Sequence, residues 1–178
     1  MDVQTGEIKA MSNLDRAKDG SGYYEMANHA VVRMEPGSTF KTISLMAALD
    51  DGKVKMKDTI RVEHDGWWYH GAKNTDTHPS DTVYTIRQAM AVSSNIALAK
   101  IVTDGYNGSA KKFVKKLRNM GLCDSVDFTI PGANQALINV PNDTVTISKM
   151  AYGYSVELSP LQILMFYNGI ANDGKMIS

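Results

Sequence analysis

The sequence predicts an α+β fold, in which a helical subdomain packs on a sheet. Three observations carry this. Apolar residues at helical spacing recur after Ser38, Thr85, Ser94, Ala110 and Ser159. Strand rhythm marks the opening residues and the stretch Thr59 to Tyr69. At 178 residues and 43% hydrophobic composition, the chain has the length of one domain, or a large piece of one, with a buried core.

The chain opens as a hairpin: Val3 leads into the turn Gln4-Thr5-Gly6-Glu7, and Ile8, Ala10 and Met11 continue as a strand. A lone two-stranded ribbon is marginal in water and leaves an open edge, so further residues are expected on both sides of the chain. Asp15 to Glu35 mixes Gly, Tyr and polar groups without a period and predicts loop with one short helical turn. From Ser38 the residues Phe40, Ile43, Leu45, Ala47 and Leu49 keep helical spacing until Asp51-Gly52 stops them. This mostly apolar helix is expected to be buried.

Thr59 to Tyr69 predicts strand broken by a turn at Asp65-Gly66, followed by a polar loop through Pro79. Trp67, Trp68 and Tyr69 either line a groove or pack under this β-loop, and the second is expected. Thr85-x-x-Gln88 forms a capping box for a helix running to Met90, and a second helix covers Ser94 to Val102. A third, Ala110 to Met120, has Ser109 as N-cap and Phe113, Val114, Leu117 and Met120 on one face. Four lysines form its solvated face, and Gly121 ends it. Ser159-Pro160-Leu161-Gln162 combines an N-cap, a proline at the first helical position and a capping Gln, predicting a buried helix to Ala171. Asn172-Asp173-Gly174 ends that helix, and Lys175-Met176-Ile177 begins a strand.

Nineteen basic residues balance nineteen acidic ones, so no global field recruits nucleic acid or an anionic membrane. The apolar stretch Leu161 to Tyr167, broken by Gln162, is far short of the roughly 18 residues a membrane span needs. The opening Met-Asp-Val-Gln-Thr-Gly-Glu has neither a basic nor an apolar leader region, so no export signal is expected within residues 1–178, which leaves upstream residues open. A single cysteine, Cys123, excludes an intrachain disulfide and reads as a small buried residue after a helix. His64, His70 and His78 have gaps that match no helical ligand pair, so no metal is expected, and nothing calls for a cofactor. The 11 methionines suit core packing.

A serine becomes a nucleophile when a base lies within hydrogen-bond reach, and a Ser-x-x-Lys pair on a helix achieves this because positions i and i+3 share a face. With 13 serines and 14 lysines, about one such pair is expected by chance, and the chain has two. Ser109-Lys112 is explained as a cap beside a solvated lysine. Ser38-Lys41 follows Pro36-Gly37 and opens the most apolar helix, where desolvation can turn the Lys41 ammonium toward an amine.

A relay hydroxyl and a carboxamide are then wanted, and Ser93-Ser94-Asn95 supplies both at the junction of two helices. Roughly 0.8 Ser-x-Asn matches are expected by chance. The alternative is that Ser93 or Ser94 merely caps the next helix.

Order and separation join the two motifs. Ser-x-x-Lys with Ser-x-Asn belongs to a signature shared by penicillin-binding proteins and class A β-lactamases. Glu35-Pro36-Gly37-Ser38-Thr39-Phe40-Lys41 resembles the first motif of the class B, monofunctional penicillin-binding proteins, and Ser93-Ser94-Asn95 falls 55 residues later, as in that family. Asp2 to Met11 resembles the family's first hairpin, Asn28 to Lys41 its approach to the nucleophile, and Leu158 to Gly174 its Thr-Pro-Leu-Gln helix, with Ser159 in place of Thr. The third motif, Lys-Thr-Gly or Lys-Ser-Gly, does not occur.

The resemblance implies that residues 1–178 are the N-terminal portion of a transpeptidase domain of the penicillin-binding protein and serine β-lactamase fold. The helical subdomain and the first hairpin of the sheet would be present, the C-terminal strands missing, and the site would lie between the two layers. It implies a peptidoglycan DD-transpeptidase of cell division type, with Ser38 as nucleophile, Lys41 as base, Ser93 as proton relay and Asn95 holding the donor peptide. Its partners would be stem peptides ending in D-Ala-D-Ala, β-lactam antibiotics and other cell-wall synthesis proteins. Its place would be the outer face of the bacterial cytoplasmic membrane, in the periplasm, by an anchor upstream. Without the third motif the chain itself is expected to be weak or inactive. A glutamate suited to β-lactamase deacylation is missing, since the only one after Ser93 is Glu157. A β-lactam sensor domain, or a scaffold with an unreactive serine, are the other readings.

Overall fold

The computed structural model describes residues 1–25, 28–122, 130, 137–138 and 144–177. In chain order its elements are β1 (Asp15–Arg16), β2 (Tyr23–Tyr24), a 3-10 turn (His29–Val31), a second 3-10 turn (Gly37–Phe40), α1 (Lys41–Asp50), β3 (Thr59–Val62), β4 (Trp67–Tyr69), β5 (Ala72–Asn74) and β6 (Thr82–Thr85). There follow α2 (Ile86–Ala91), α3 (Asn95–Gly105), α4 (Ala110–Asn119), α5 (Thr146–Met150) and α6 (Pro160–Ala171). The mixture is α+β, and the chain forms two compact units: a larger one of residues 35–121 and 138–156, and a smaller one of residues 1–34, 122–137 and 157–178.

The larger unit holds the helices that begin near Ser38, Thr85, Ser94 and Ala110, as expected. Its core is Leu45 and Ala48 from α1, Val62 from β3, Ile86 and Ala89 from α2, and Ile96, Ala97, Leu98 and Ile101 from α3. Burying an aliphatic side chain of this size stabilises by roughly 1.5–3 kcal/mol. Local signals set the helix boundaries. Thr85 accepts from the Gln88 backbone while Gln88 reaches back to Thr85, closing the predicted box. Ser94 accepts from Ala97 N–H, and Ser109 from Lys112 N–H. On α4, Lys111, Lys112 and Lys115 are solvated, but Lys116 pairs with Asp50 and, at 2.8 Å, with Asp51.

Strand forms at both expected stretches, Thr59–Val62 and Trp67–Tyr69, whereas Ala72–Asn74, expected as polar loop, is also strand. A turn does form before Gly66, whose N–H donates to Glu63 O at 3.2 Å, but β3 does not pair across it with β4. Instead β3 pairs antiparallel with β6, Thr59 facing Thr85, and β4 forms its own hairpin with β5, Trp67 facing Asn74. The inner hairpin closes on His70-Gly71, both at positive φ, which is the two-residue turn whose twist suits paired strands. Lys73 and Asn74 carry no apolar alternation, which is why β5 reads as polar loop. Trp67 packs partly against the core, whereas Trp68 is 63% exposed rather than tucked under the loop.

In the smaller unit the turn after Val3 forms, with Asp2 N–H donating to Glu7 O at 2.8 Å. The flanking residues do not form the expected strands. The Asp2 carboxylate takes the N–H groups of Gln4 and Thr5, a local closure that needs no ladder. β1 and β2 pair instead, an unpredicted short ribbon. Ser159 and Gln162 cap α6 reciprocally, with Pro160 at its first position. One face of α6, including Leu161 and Phe166, is buried, but Leu164, Tyr167 and Ile170 are exposed, so the helix is half-buried. Residues 175–177 are irregular rather than a strand. The expectation for Cys123 lies outside the described residues.

Candidate active site

Ser38, Lys41, Ser93 and Asn95 all belong to the larger unit. Pro36, with φ −72°, leads the chain into the 3-10 turn that carries Ser38. In such a turn side chains three apart eclipse one another, so Ser38 and Lys41 share a side. The Lys41 N–H caps the turn by donating to Ser38 O, and Thr39 Oγ1 donates to Pro36 O at 2.8 Å. Ser38 is exposed whereas Lys41, at the start of α1, is only 2% exposed.

Burial decides the state of Lys41. Loss of hydration lowers its pKa from 10.5 to about 8, the negative charge of Asp76 working the other way. At pH 7 roughly a tenth of such a lysine is free amine, about three hundred times the fraction of an ordinary one. Its Nζ donates to Ser93 Oγ at 2.9 Å and to the Ser93 carbonyl. Among the described residues no side-chain hydrogen bond joins Ser38 to Lys41 or Ser93.

Ser93 sits at φ +55°, in the left-handed region that costs a non-glycine residue roughly 1–2 kcal/mol. The two readings of the Ser-Ser pair divide between its members. Ser93 meets Lys41, and Ser94 caps α3. Ser94 Oγ also donates to Asp76 at 2.7 Å, and Asp76 accepts the Ile96 N–H at 3.0 Å. Asn95, half-buried, donates its side-chain amide to Thr75 O at 2.8 Å. Thr75 and Asp76 thus fix the loop that carries Ser93.

Sequence reasoning missed this bracket. Asn74, fully buried, accepts the Tyr152 hydroxyl at 2.9 Å and donates toward Trp67 O. Burial, with Tyr154 and Asp76 adding to it, pushes the Tyr152 phenol up to about 12, so it stays a donor at any working pH. Lys149 donates to Lys73 O at 2.7 Å and lies over the Tyr152 ring, and burial lowers its pKa. Gly37 N–H donates to Gly153 O at 3.1 Å. None of these residues carries a local spacing signal; each acts through a partner far away in sequence. A cavity of about 420 Å³, lined by Glu35, Thr75, Asn95, Lys149, Tyr152 and Tyr154, opens beside Asn95. Its size suits a small polar ligand.

This geometry can activate a hydroxyl. A buried lysine with a lowered pKa contacts a second serine, an exposed serine precedes it by one 3-10 turn, and a carboxamide stands at the mouth of a polar cavity.

Comparison with known proteins gives a consistent picture. Residues 1–178 match the family described as the penicillin binding protein transpeptidase domain. A probable peptidoglycan D,D-transpeptidase PenA of Neisseria flavescens is 30% identical over 184 residues, covering 99% of this chain and 44% of the relative. A structure described as a peptidoglycan glycosyltransferase from Burkholderia ambifaria superposes with a TM-score of 0.80 at 25% identity, over 98% of this chain and 52% of that one. The transpeptidase domain of penicillin-binding protein 3 from Burkholderia pseudomallei has the same fold, with a TM-score of 0.78 at 24% identity, over 99% and 50%. The chain spans about half the length of these proteins.

Proposed function

The chain belongs to the penicillin binding protein transpeptidase domain family, and on that premise we propose that it is the nucleophile-bearing part of a serine D,D-transpeptidase that cross-links peptidoglycan. The contact of Lys41 Nζ with Ser93 Oγ at 2.9 Å, one turn after Ser38, carries this reading. Ser38 Oγ attacks the carbonyl carbon between the two terminal D-alanines of a stem peptide, and the Lys41 amine takes its proton. The tetrahedral intermediate collapses, the C–N bond breaks, and the proton returns through the Ser93 hydroxyl to the leaving D-alanine nitrogen. An acyl ester on Ser38 remains. An amine of a neighbouring stem attacks it, loses its proton by the reverse route, and frees Ser38.

Asn95 holds the donor peptide's amide, and the Ser38 N–H supplies one oxyanion donor, a contact generally worth about 2.7–4 kcal/mol. The family resemblance assigns the second donor to a Lys-Thr-Gly strand. This sequence contains no such motif, so the chain by itself acylates slowly. β-Lactams acylate the same serine because they mimic D-alanyl-D-alanine. The chemistry takes place where peptidoglycan is assembled, on the outer face of the cytoplasmic membrane. No described helix is long and apolar enough to cross a membrane.

Intact-mass spectrometry after incubation with a penicillin tests the reading. The chain, its Ser38→Ala variant and a longer form that includes a Lys-Thr-Gly strand are compared. Gain of one penicillin mass by the longer form, lost with Ser38→Ala, supports it. A longer form that is never acylated overturns the enzyme reading in favour of a scaffold, and acylation without transpeptidation points to a β-lactam sensor.

A further inference from the structure

The turn that presents Ser38 is gripped at its backbone by the segment after α5. Gly37 N–H donates to Gly153 O at 3.1 Å, and two residues on, Ser155 N–H donates to the Glu35 carboxylate at 2.8 Å. Gly153 has φ +91°, and a Cβ placed on it would lie 2.1 Å from Gly37 O and 2.7 Å from both Gly37 C and N. All three are main-chain atoms, so no change of rotamer relieves the collision. One of the two backbones has to move.

Gly71 isolates this effect. Its φ of +87° is nearly the same, but a Cβ there would meet nothing within 4 Å. An alanine at Gly71 bears the left-handed strain alone; an alanine at Gly153 bears that strain plus the collision.

We propose that Gly153 is a positioning residue for acyl transfer: its missing side chain lets the two backbones close, and that contact sets where Ser38 stands relative to Lys41. The proposal rests on the reading of Ser38 as nucleophile. Gly37 is the residue before Ser38, and the Gly37–Ser38 peptide supplies the N–H proposed as oxyanion donor, so a shift of Gly37 moves both the attacking oxygen and the donor. The Lys41 backbone is tied to Ser38 O, but its amine is anchored elsewhere, by its contact with Ser93. The collision therefore displaces the nucleophile against its base, and a misplacement of about 1 Å is enough to cost on the order of 100-fold in rate.

The test compares wild type, Gly153→Ala, Gly71→Ala and Glu35→Ala, each in the longer form that includes a Lys-Thr-Gly strand. Three quantities are read: the first-order acylation rate constant and the apparent Kd from the concentration dependence of penicillin acylation, and amide hydrogen exchange across residues 36–41. Gly153→Ala is expected to lose on the order of 100-fold in the rate constant, with Kd changed far less and faster exchange in 36–41. Gly71→Ala keeps the wild-type rate constant. Equal rate constants for Gly153→Ala and wild type, or an equal loss in Gly71→Ala, overturn the proposal. If Gly153→Ala does not fold, Glu35→Ala, which releases the second grip without a collision, decides: a several-fold loss with faster exchange supports positioning, and no change in either sinks it. If wild type itself is never acylated, the nucleophile reading fails on its own, and unchanged exchange in Gly153→Ala would separately refute the backbone grip.

Discussion

The Lys41 Nζ lies 2.9 Å from Ser93 Oγ, joining residues 52 apart in sequence. Burial holds Lys41 near pKa 8, so the acylation rate is expected to rise with pH through about 8 and then level as the amine form fills. Lys41→Met removes the proposed base and should lower the rate about 10²–10⁴-fold, with no step near pH 8. Penicillin acylation rates measured from pH 6 to 10 check both, and a wild-type profile flat across that range would exclude Lys41 as the base.

The same shift makes a stability prediction of definite sign. The folded-state pKa of Lys41 lies below its ordinary value of 10.5, so between about pH 8 and 10.5 the unfolded chain holds a proton that the folded chain has lost. The Lys41 contribution to stability is thus present above 10.5 and lost as pH falls through 8. The difference in unfolding free energy between wild type and Lys41→Met should shift in favour of wild type across that window. Urea melts at pH 7, 9 and 10.5 measure it.

Asp76 acts on the site in two separable ways, by shape and by charge. Its carboxylate accepts from Ser94 Oγ and Ile96 N–H, and its charge favours the Lys41 ammonium. Asp76→Asn can keep its Oδ1 accepting from Ile96 N–H and turn its amide N–H toward Ser94 Oγ, but it removes the charge, so the midpoint of the pH–acylation profile should move down. Asp76→Ala loses both and should destabilise by about 1–3 kcal/mol. A midpoint that stays put in Asp76→Asn would show that its charge does not reach Lys41.

Ser93 pairs a strained backbone with the hydroxyl proposed as proton relay. Ser93→Gly should relieve the left-handed strain, raising stability by up to about 1 kcal/mol, while acylation falls for want of the hydroxyl. Ser93→Ala should lose the same activity without that gain. Thermal melts beside acylation rates separate the two, and equal stability in the two variants would mean that the strain at Ser93 is not being relieved.

What the sequence made legible is what is encoded by neighbours within one turn. Thr85 with Gln88 and Ser159 with Gln162 are three-residue spacings whose geometry is fixed by the helix itself, and both form the expected capping boxes; Ser38 and Lys41 share one side of a 3-10 turn by the same spacing. The nested pairing of β3 with β6 around the β4–β5 hairpin was not legible, because alternation says that a segment is a strand but not which strand it joins. Asp76 and Gly153 were hidden for a related reason. A lone aspartate in a polar loop and a glycine between two tyrosines have many local uses, and only the folded chain brings one to Ser94 and the other to Gly37. Ser93-Ser94 lay between these cases: the spacing located the pair, but tertiary contact was needed to send one hydroxyl to Lys41 and the other to the helix cap.

Tyr152 tests whether the bracket behind Asn95 matters to the site or only to the fold. Its hydroxyl donates at 2.9 Å to the side chain of Asn74, which is fully buried and has no water to turn to. Tyr152→Phe keeps the ring and leaves Asn74 Oδ1 without that donor, so stability should fall by about 1–3 kcal/mol. Asn74 directly precedes Thr75, whose carbonyl orients Asn95, so slackening there loosens the proposed peptide-holding amide more than Ser38 or Lys41. The apparent Kd for penicillin should therefore weaken while the first-order acylation rate constant changes little. Stopped-flow acylation with a chromogenic β-lactam, alongside a thermal melt, reads both quantities. A drop in the rate constant at unchanged Kd would place Tyr152 with the proton-transfer machinery instead.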